Sequence, residues 1–362
     1  MVWMVTAQNT PPFWPRFWIV AAAMALVAGL VWSGASRPSV LVVHSQNERI
    51  PWIRGIDAGI DRVIDQSSAI RLQRIYLYGH SEERVSTQIV QAHGLIARWR
   101  PDVLLLVDDL AQARVGAAYV AGDRPQIVYS GIEDAQRTLA RTPGTHIRGI
   151  AERTPWGIVE RSLLRLTELS DAQVQEPAHR RRIALISDAG PAADEEARGF
   201  ASHRWQGAQP VGVWRCATLD QWQQALGEIA QQADVVVIGD YRNLPGPGNL
   251  SASVWRRLLA QAALERLKIP MTALSAYAVS DGIPMGILPS PFEQGEVAAQ
   301  MAVQVSRSSG SEFSAERGQH ALTQDFALVV NRRQMELRRL SIGAMDAYYA
   351  RVSGRLLGGG VQ

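Results

Sequence analysis

The chain has 362 residues, of which 47% are hydrophobic and 20% are charged, a composition that excludes an intrinsically disordered protein. The net charge is only +3 and the arginines are scattered along the chain, so the basic stripe that nucleic-acid binding needs is missing. A single cysteine, Cys216, excludes an internal disulfide.

The first feature along the chain is an uncharged apolar segment, residues 17–35, that follows Arg16. Its length lies between that of a signal-peptide core and that of a full membrane span. The small residues Ser33, Gly34 and Ala35 suit cleavage of a signal peptide, whereas Trp and Phe at both ends suit an uncleaved transmembrane anchor. Either alternative makes residues 1–37 a targeting segment. Both predict that the rest of the chain lies in the periplasm or on the periplasmic face of the cytoplasmic membrane.

Beyond this segment, apolar runs alternate with stretches of helical spacing. The runs are nearly continuous in Val, Ile and Leu, as strands buried on both faces of a parallel sheet are. They cover residues 40–44, 74–79, 103–109, 126–131, 183–188, 211–217, 235–240 and 270–276, with a short strand near residue 148. Between the first two runs, Ile53, Ile56, Ile60 and Val63 recur at the spacing of one helix face. This alternation predicts an α/β doubly wound fold with parallel sheets.

The last part of the sequence predicts two more strands and two more helices. They cover residues 286–288, 293–306, 326–331 and 332–354, of which the final helix is rich in arginine.

Polar residues stand at the carboxyl ends of five predicted strands, the edge at which open α/β sheets bind ligands. They are His44, Asp108, Asp109, Ser130, Gly131, Asp188 and Asp240. A single polar residue there would indicate only a turn or a helix cap, and capping alone explains some of the series. Five strand ends in series favour a binding edge.

Motifs for catalysis and for cofactor binding are absent from the sequence. It contains no phosphate-cradle signature, no Gly-x-Ser-x-Gly elbow and no His-Glu-x-x-His, and residues 246–248 lack the third glycine of a dinucleotide fingerprint. Adjacent residues on a strand point to opposite faces, so Asp108 and Asp109 do not share one proton as an acid/base pair. The sequence therefore predicts no enzyme activity, no cofactor and no metal site.

A series of motifs resembles one known family. A hydrophobic strand, a His-Ser loop, Pro-Trp and a helix with Gly-Ile-x-x-Gly-Ile open the series. It continues with SGIEDAQRTLA, HIRGIAERTPWGIVERSLLRL, ADVVVIGDYRNLPG, LKIPMTALSAYAVSDGIPMGILPSPFEQGEVAAQMAVQV and FALVVNRRQMELRRLSI. Their order over residues 40–345 resembles the type I periplasmic binding proteins. The most similar group is the ABC-transporter substrate-binding family with tryptophan- and tyrosine-binding members, together with the related extracellular domains of sensor histidine kinases.

Two departures from the family pattern bear on the ligand and the partner surface. The final helix is unusually basic, with arginines at 332, 333, 338 and 339, and residues 286–289 replace a glycine-serine turn found in some members.

The resemblance implies two Rossmann-like lobes joined by a three-strand hinge, with ligand held in the cleft between them. Lobe one would comprise residues 38–150 and 280–320, and lobe two residues 153–278 and 322–354. Closure around the ligand would be a hinge motion driven by contacts to both lobes.

The same resemblance predicts a set of ligand-contacting residues. The loop after the first strand would face the cleft, where Ser45 and Gln46 offer hydrogen bonds beside His44. In lobe two, Tyr241, Ser275 and Tyr277 would join the aspartates at the strand ends. An aspartate suits a ligand ammonium, and a tyrosine ring suits an apolar or cationic body. This chemistry favours an amino-acid-like or amine ligand.

Three functions remain open from the sequence. The leading hypothesis is an extracytoplasmic solute-binding protein of an ABC-type uptake system, which delivers a small polar ligand to a membrane permease without turnover. The alternative is a membrane-anchored ligand-sensing protein that works with a separate histidine kinase. An enzyme on the same fold is the third, and the absent motifs argue against it.

Overall fold

The computed structural model describes residues 19–24, 37–67, 70–78, 82–122, 124–132, 147–171, 180–307, 320–343 and 356–357. The predicted targeting segment lies largely outside this range, with residues 19–24 in a helical stretch. Among the described residues, no helix combines the length and the apolarity needed to cross a membrane.

The first sheet has six parallel strands in the order β11-β5-β4-β3-β1-β2. Its strands are β1 (Ser39–His44), β2 (Arg71–Tyr76), β3 (Val103–Val107), β4 (Gln126–Ile132), β5 (Ile147–Ala151) and β11 (His320–Leu322). Every residue of β1 and β3 is buried, which explains their continuous apolar sequences.

Helices cover both faces of this sheet. They are α1 (Pro51–Gln66), α2 (Glu82–Trp99), α3 (Asp108–Arg114) and α9 (Pro291–Arg307). The predicted apolar stripe of α1 is confirmed, because Ile53, Ile56, Ile60 and Val63 are buried against Val40 and Val42. Helix α9 packs on the same face, while α2 and α3 pack on the other.

The second sheet has seven strands in the order β13-β12-β10-β9-β8-β6-β7. Its strands are β6 (Arg181–Asp188), β7 (Ala208–Cys216), β8 (Val235–Ile238), β9 (Met271–Ala273), β10 (Met285–Pro289), β12 (Phe326–Asn331) and β13 (Leu356–Leu357). All neighbours are parallel except β10 and β12. The predicted α/β fold with parallel sheets is confirmed.

Four longer helices and two short ones of six residues each surround the second sheet. They are α4 (Trp156–Asp171), α5 (Pro191–Ser202), α6 (Leu219–Gln232), α7 (Ala252–Arg266), α8 (Ala276–Asp281) and α10 (Arg332–Leu337). Helices α4 and α5 pack on one face, and α6, α7 and α8 pack on the other.

The chain passes between the two sheets three times, after β5, after β10 and after β11. Each passage leaves the carboxyl end of a parallel strand, and β12 begins beside Pro289 because it runs antiparallel to β10. The carboxyl edges of both sheets therefore lie on the side of the passages. This arrangement agrees with the predicted three-strand hinge.

Two predicted boundaries are wrong. Strand β10 lies within the range predicted for lobe one, yet it is hydrogen-bonded between β9 and β12 in the second sheet, so only α9 of that range returns to the first sheet. The final helix, predicted over 332–354, ends at Leu337. Arg339 has a φ of +55°, a left-handed conformation that cannot continue an α-helix. Residues 344–354 lie outside the described range.

Candidate functional site

At the carboxyl edge of the first sheet, Gln46, Asp108 and Gly131 come together. The Gln46 amide nitrogen lies 3.4 Å from Oδ2 of Asp108. Gly131 has a φ of +69°, and a Cβ at this position would lie only 2.5 Å from Oδ1 of Asp108. Asp108 itself has a φ of +64°, which is uncommon for a residue other than glycine. Such backbone strain clusters at binding and catalytic sites, so this observation supports the predicted binding edge.

Two predicted ligand contacts, Ser45 and Ser130, are buried and hydrogen-bonded within the protein. The Ser45 hydroxyl donates to the Val107 carbonyl at 2.7 Å and accepts from the backbone N–H of Ala111 at 2.9 Å. The Ser130 hydroxyl lies 3.1 Å from the Gln294 carbonyl oxygen. Both side chains hold the ends of strands in place. Asp109, next to Asp108, is exposed at the same edge.

His44 occupies the interior of lobe one, not the predicted place at the cleft. Its side chain is fully buried, its Nε2 lies 3.1 Å from Oδ1 of Asp57, and its ring stacks on Tyr76 with centroids 4.8 Å apart. Asp57 also accepts from Arg74 at 2.9 Å. Burial by itself would raise the pKa of Asp57, but His44 and Arg74 outweigh it and lower that pKa. The alternation of Arg74 and Tyr76 on β2 was the one sequence signal for this cluster.

At the carboxyl edge of the second sheet, the Asp240 carboxylate holds Arg242. Asp240 is buried and accepts from the backbone N–H and the Nε of Arg242, at 2.8 and 2.9 Å. It also accepts from the Tyr277 hydroxyl at 2.8 Å. Burial alone would raise the pKa of Asp240, but the bonds and charge of Arg242 keep it low. The Arg242 guanidinium lies 5.4 Å from the Tyr277 ring centroid and is 45% exposed, so part of this paired guanidinium reaches the surface of the edge.

Asp188 and Asp240 organise neighbouring turns of this edge. Asp188 accepts from the backbone N–H of Gly190 at 2.7 Å and of Asn243 at 2.8 Å. Burial raises the pKa of Asp188. The backbone N–H of Asp240 donates to the Glu196 carboxylate at 3.0 Å. Asp188 therefore positions the loop that carries Arg242, and it has almost no exposed surface of its own.

The remaining predicted residues of lobe two lie behind this edge. Tyr241 is fully buried, its hydroxyl donates to Asp281 at 3.2 Å, and its ring packs edge-on against Tyr277. Burial raises the pKa of both tyrosines. The buried hydroxyl of Ser275 has no hydrogen-bond partner among the described residues. The structure thus brings Asp240 and Tyr277 to the edge, while Tyr241 supports them from the core.

Sequence reasoning missed Gln294, which connects the passages between the lobes. Its buried side chain accepts from the backbone N–H of Gly131 at 2.9 Å and donates to the hydroxyl of Thr323. That hydroxyl in turn donates to the Ala151 carbonyl at 3.0 Å. The Gln294 amide at the start of α9 therefore links the end of β4 to Thr323, which follows β11. Through the Thr323 hydroxyl it is also linked to Ala151 at the end of β5. Sequence reasoning also missed Arg242, although this residue lies only two positions after the predicted site residue Asp240.

Replacing Gln294 with leucine should lower the free energy of unfolding by about 2 kcal/mol, because the buried N–H of Gly131 loses its acceptor. Urea unfolding followed by tryptophan fluorescence measures this loss. Gln224→Leu is the matched control, since Gln224 is exposed on α6 and its replacement should change stability by less than about 0.5 kcal/mol. Equal effects of the two substitutions would contradict a stabilising role for Gln294.

No metal site emerges at either edge: within the described residues no three His, Cys, Asp or Glu side chains group in a way that could hold a metal ion.

Comparisons with known proteins identify the fold. No family model and no curated protein matches the amino-acid sequence. Among solved structures, a ligand-free, open substrate binding protein with adhesive properties from Clostridium difficile has a TM-score of 0.59 at 14% identity, covering 85% of this chain and 96% of that chain. An arabinose binding protein from Geobacillus stearothermophilus has a TM-score of 0.52 at 12% identity, covering 84% and 100%.

A third similar structure is an ABC domain from Streptococcus pneumonia in complex with L-Trp, with a TM-score of 0.51 at 10% identity, covering 88% of this chain and 100% of that chain. Identities this low establish the fold alone. The chain has the fold of the type I periplasmic binding proteins: two α/β lobes, each with a parallel-rich sheet, joined by three passages of the chain.

Proposed function

We propose that this protein is the extracytoplasmic solute-binding component of an ABC-type uptake system and holds a small polar, amino-acid-like ligand between its lobes. The observation that carries the proposal is the pairing of two polar edges across the hinge. Asp108 stands in a strained conformation on one edge, and Arg242 is held by the buried Asp240 on the other. Binding fits these groups, because they offer charges and hydrogen bonds that match those of a polar solute.

The two edges offer different groups, which supports a zwitterionic ligand. Lobe one offers the carboxylates of Asp108 and Asp109 with the amide of Gln46, groups that suit a ligand ammonium. Lobe two offers the guanidinium of Arg242, which suits a ligand carboxylate. A ligand with both groups would contact both lobes at once and favour the closed form by its differential affinity. The L-Trp held by the pneumococcal structure is a ligand of this kind.

The proposal places the protein in the periplasm with a membrane permease as its partner, and with residues 1–37 as its targeting segment. The sensory alternative remains a prediction of the sequence. Cell fractionation separates the two: a soluble periplasmic product supports transport, and an integral-membrane product that co-purifies with a histidine kinase supports sensing.

A thermal-shift screen of the full-length chain against amino acids, amines, carboxylates and sugars tests the ligand class. A ligand that binds only the folded form adds about 2.7 kcal/mol of stability at a hundredfold excess over its Kd. We expect amino acids to raise Tm, and the matched amines and carboxylates, each lacking one charge, to raise it much less. A shift with sugars alone would contradict the proposed ligand class, and no shift with any class would contradict the proposed function.

Single substitutions then test the two edges. Asp108→Asn and Arg242→Gln should each weaken amino-acid binding by about 10- to 100-fold, the value of a hydrogen bond to a charged group. Arg198→Gln is the control, because Arg198 forms an exposed pair with Glu195 on α5. Isothermal titration of each variant measures Kd. An unchanged Kd for both Asp108→Asn and Arg242→Gln would exclude these two edges as the ligand site.

A further inference from the structure

A groove of about 680 Å³ opens on lobe two, away from the proposed ligand site. Its walls come from α7, from the end of α8 and from α10. Lys268 precedes β9 and Gly282 precedes β10, while α10 follows the end of the antiparallel β12. The groove therefore lies at the amino ends of β9 and β10, opposite the edge that carries Asp240. Its volume is in the range of small-molecule sites, about 300–1,000 Å³.

Three cationic side chains line this groove. Arg338 is fixed in place, because its guanidinium donates to the carbonyls of Leu264 and Leu267 at the end of α7. Arg257 and Lys268 are exposed, and neither forms an ion pair with any residue that the structure describes. Two positive charges in a concave surface thus lack a bonded counter-ion.

Two acids also line the groove. Glu265 accepts a hydrogen bond from Gln261 at 2.8 Å. Asp281 accepts from Nε of Arg256 at 3.1 Å and from the Tyr241 hydroxyl at 3.2 Å, and its side chain is only 5% exposed. Glu265 keeps its negative charge, and the charge of Arg257 also acts on Asp281. The ionised side chains of the groove are therefore three cations and two carboxylates, one of which is shared with Arg256. The groove keeps an excess of positive charge.

Apolar surface lies beside these charges. Leu337, at the end of α10, is 67% exposed, and Leu264 forms part of the groove wall. The amide side chain of Gln334 is a further polar group with no hydrogen bond to the described residues. A surface with an excess of cations, an amide and the side chains of Leu264 and Leu337 is complementary to an organic anion with an apolar body.

We propose that this groove is a second binding site, for a small organic carboxylate or phosphate ester with an apolar body. Arg257 and Lys268 bind the anionic group, and Leu264 and Leu337 cover the apolar part. The site uses residues of lobe two alone, so its occupancy does not require closure of the cleft or the presence of the transported ligand.

The single lysine of the chain makes a direct test possible. Lys268 is the one lysine of the sequence, so an acetylating N-hydroxysuccinimide ester modifies a lysine side chain in a single internal peptide, which mass spectrometry identifies. The full-length chain is acetylated with and without benzoate or phenyl phosphate. We expect saturating anion to slow the acetylation of Lys268 at least fivefold. Benzyl alcohol, which lacks the charge, and inorganic phosphate, which lacks the apolar body, should protect far less.

Variants assign the protection to the groove. Arg257→Gln should raise the anion concentration needed for half-protection at least tenfold, and Leu337→Ser should raise it severalfold. Arg266→Gln is the matched control, because Arg266 lies on the same helix but packs beside Gly227, outside the groove. All three positions are exposed, so the variants should fold, which their Tm confirms. Protection by benzoate alone would assign the groove to carboxylates, and protection by phenyl phosphate alone would assign it to phosphate esters. No protection by either anion, or equal effects of Arg257→Gln and Arg266→Gln, would overturn the proposal.

Discussion

Replacing Glu160 with alanine should lower the free energy of unfolding by about 4 kcal/mol, the largest single-residue loss that we expect in this protein. Glu160 lies on α4 and is buried. One carboxylate oxygen accepts the backbone N–H groups of Gln206, Gly207 and Ala208, at 2.7, 2.7 and 3.1 Å. The other accepts from the His203 ring at 3.2 Å. Alanine would remove the acceptor of these donors at the start of β7, where Ala208 is buried.

Urea unfolding at neutral pH measures this loss, with Glu160→Gln as the conservative variant. The amide oxygen of glutamine still accepts from part of the backbone cluster, so Glu160→Gln should lose less than Glu160→Ala. Glu195→Ala, which removes an exposed carboxylate from the neighbouring α5, should change stability by less than about 0.5 kcal/mol. A loss below about 1 kcal/mol for Glu160→Ala would contradict the role assigned to this carboxylate.

The same carboxylate should make stability depend on pH. Burial by itself raises the pKa of Glu160. The hydrogen bonds from Gly207, His203 and Ala208 together lower this pKa by more than burial raises it, so the net pKa is below its ordinary value. A lowered folded-state pKa means that this stabilisation is complete above the unfolded-state pKa, about 4.3, and is lost as pH falls through the folded-state pKa. The difference in Tm between the wild-type chain and Glu160→Gln should therefore shrink below about pH 4.

Replacing Gly295 with alanine should cost about 3 kcal/mol, because two helix backbones touch at this position. A Cβ on Gly295 of α9 would lie 1.9 Å from the carbonyl oxygen of Ile56 on α1. Across the same contact, a Cβ on Gly59 would lie 2.1 Å from the carbonyl oxygen of Phe292. Backbone atoms cannot turn aside as a flexible side chain can, so α1 and α9 must separate and open the buried apolar face between them.

Gly94→Ala is the matched control for this substitution. Gly94 is also a helical glycine, on α2, but no atom lies within 4 Å of the position of its Cβ. Its replacement should stabilise the chain by up to about 1 kcal/mol through helix propensity. Urea midpoints of the two variants therefore should move in opposite directions. A Gly295→Ala variant as stable as the wild-type chain would show that the helices can separate at little cost.

The Gly295 variant should also weaken ligand binding, because Gln294 precedes it on α9 and joins the passages between the lobes. The separation of α9 from α1 that this clash forces moves the Gln294 amide relative to Gly131 and Thr323. If the proposed hinge closure is right, Kd for the ligand should rise more in Gly295→Ala than in Gly94→Ala. Isothermal titration of both variants at a temperature where each is folded measures the difference.

Much of the fold was predictable because its signals are local. Strands β1, β3 and β8 are buried on both faces, and this burial leaves a continuous apolar run that periodicity detects. The stripe on α1 has the period of a helix for the same reason. Boundaries were less predictable where the backbone departs from the regular conformation. Arg339 is an example, because its left-handed conformation ends α10 with no glycine to mark the stop.

The division of β10 and α9 between the two sheets was not predictable from periodicity. The sequence of β10 has the pattern of an ordinary strand, and that of α9 has the pattern of an ordinary helix. The passage between them is the single residue Ser290. Strand β10 joins the second sheet because β9 and β12 supply its hydrogen-bond partners. Helix α9 joins the first because its small residues fit closely against α1. These partners lie in other parts of the chain, so no local pattern names them.

The sequence by itself determined the α/β class and the row of polar residues at the carboxyl ends of the strands. Only the tertiary structure decided which of those residues are engaged inside the protein and which stand at the proposed cleft. The Ser130 hydroxyl is hydrogen-bonded to Gln294, a residue 164 positions later, and does not face the cleft. The His44 ring is buried against Asp57 and Tyr76. The physical reason is that a buried polar group must find a hydrogen-bond partner, and packing of distant segments selects that partner.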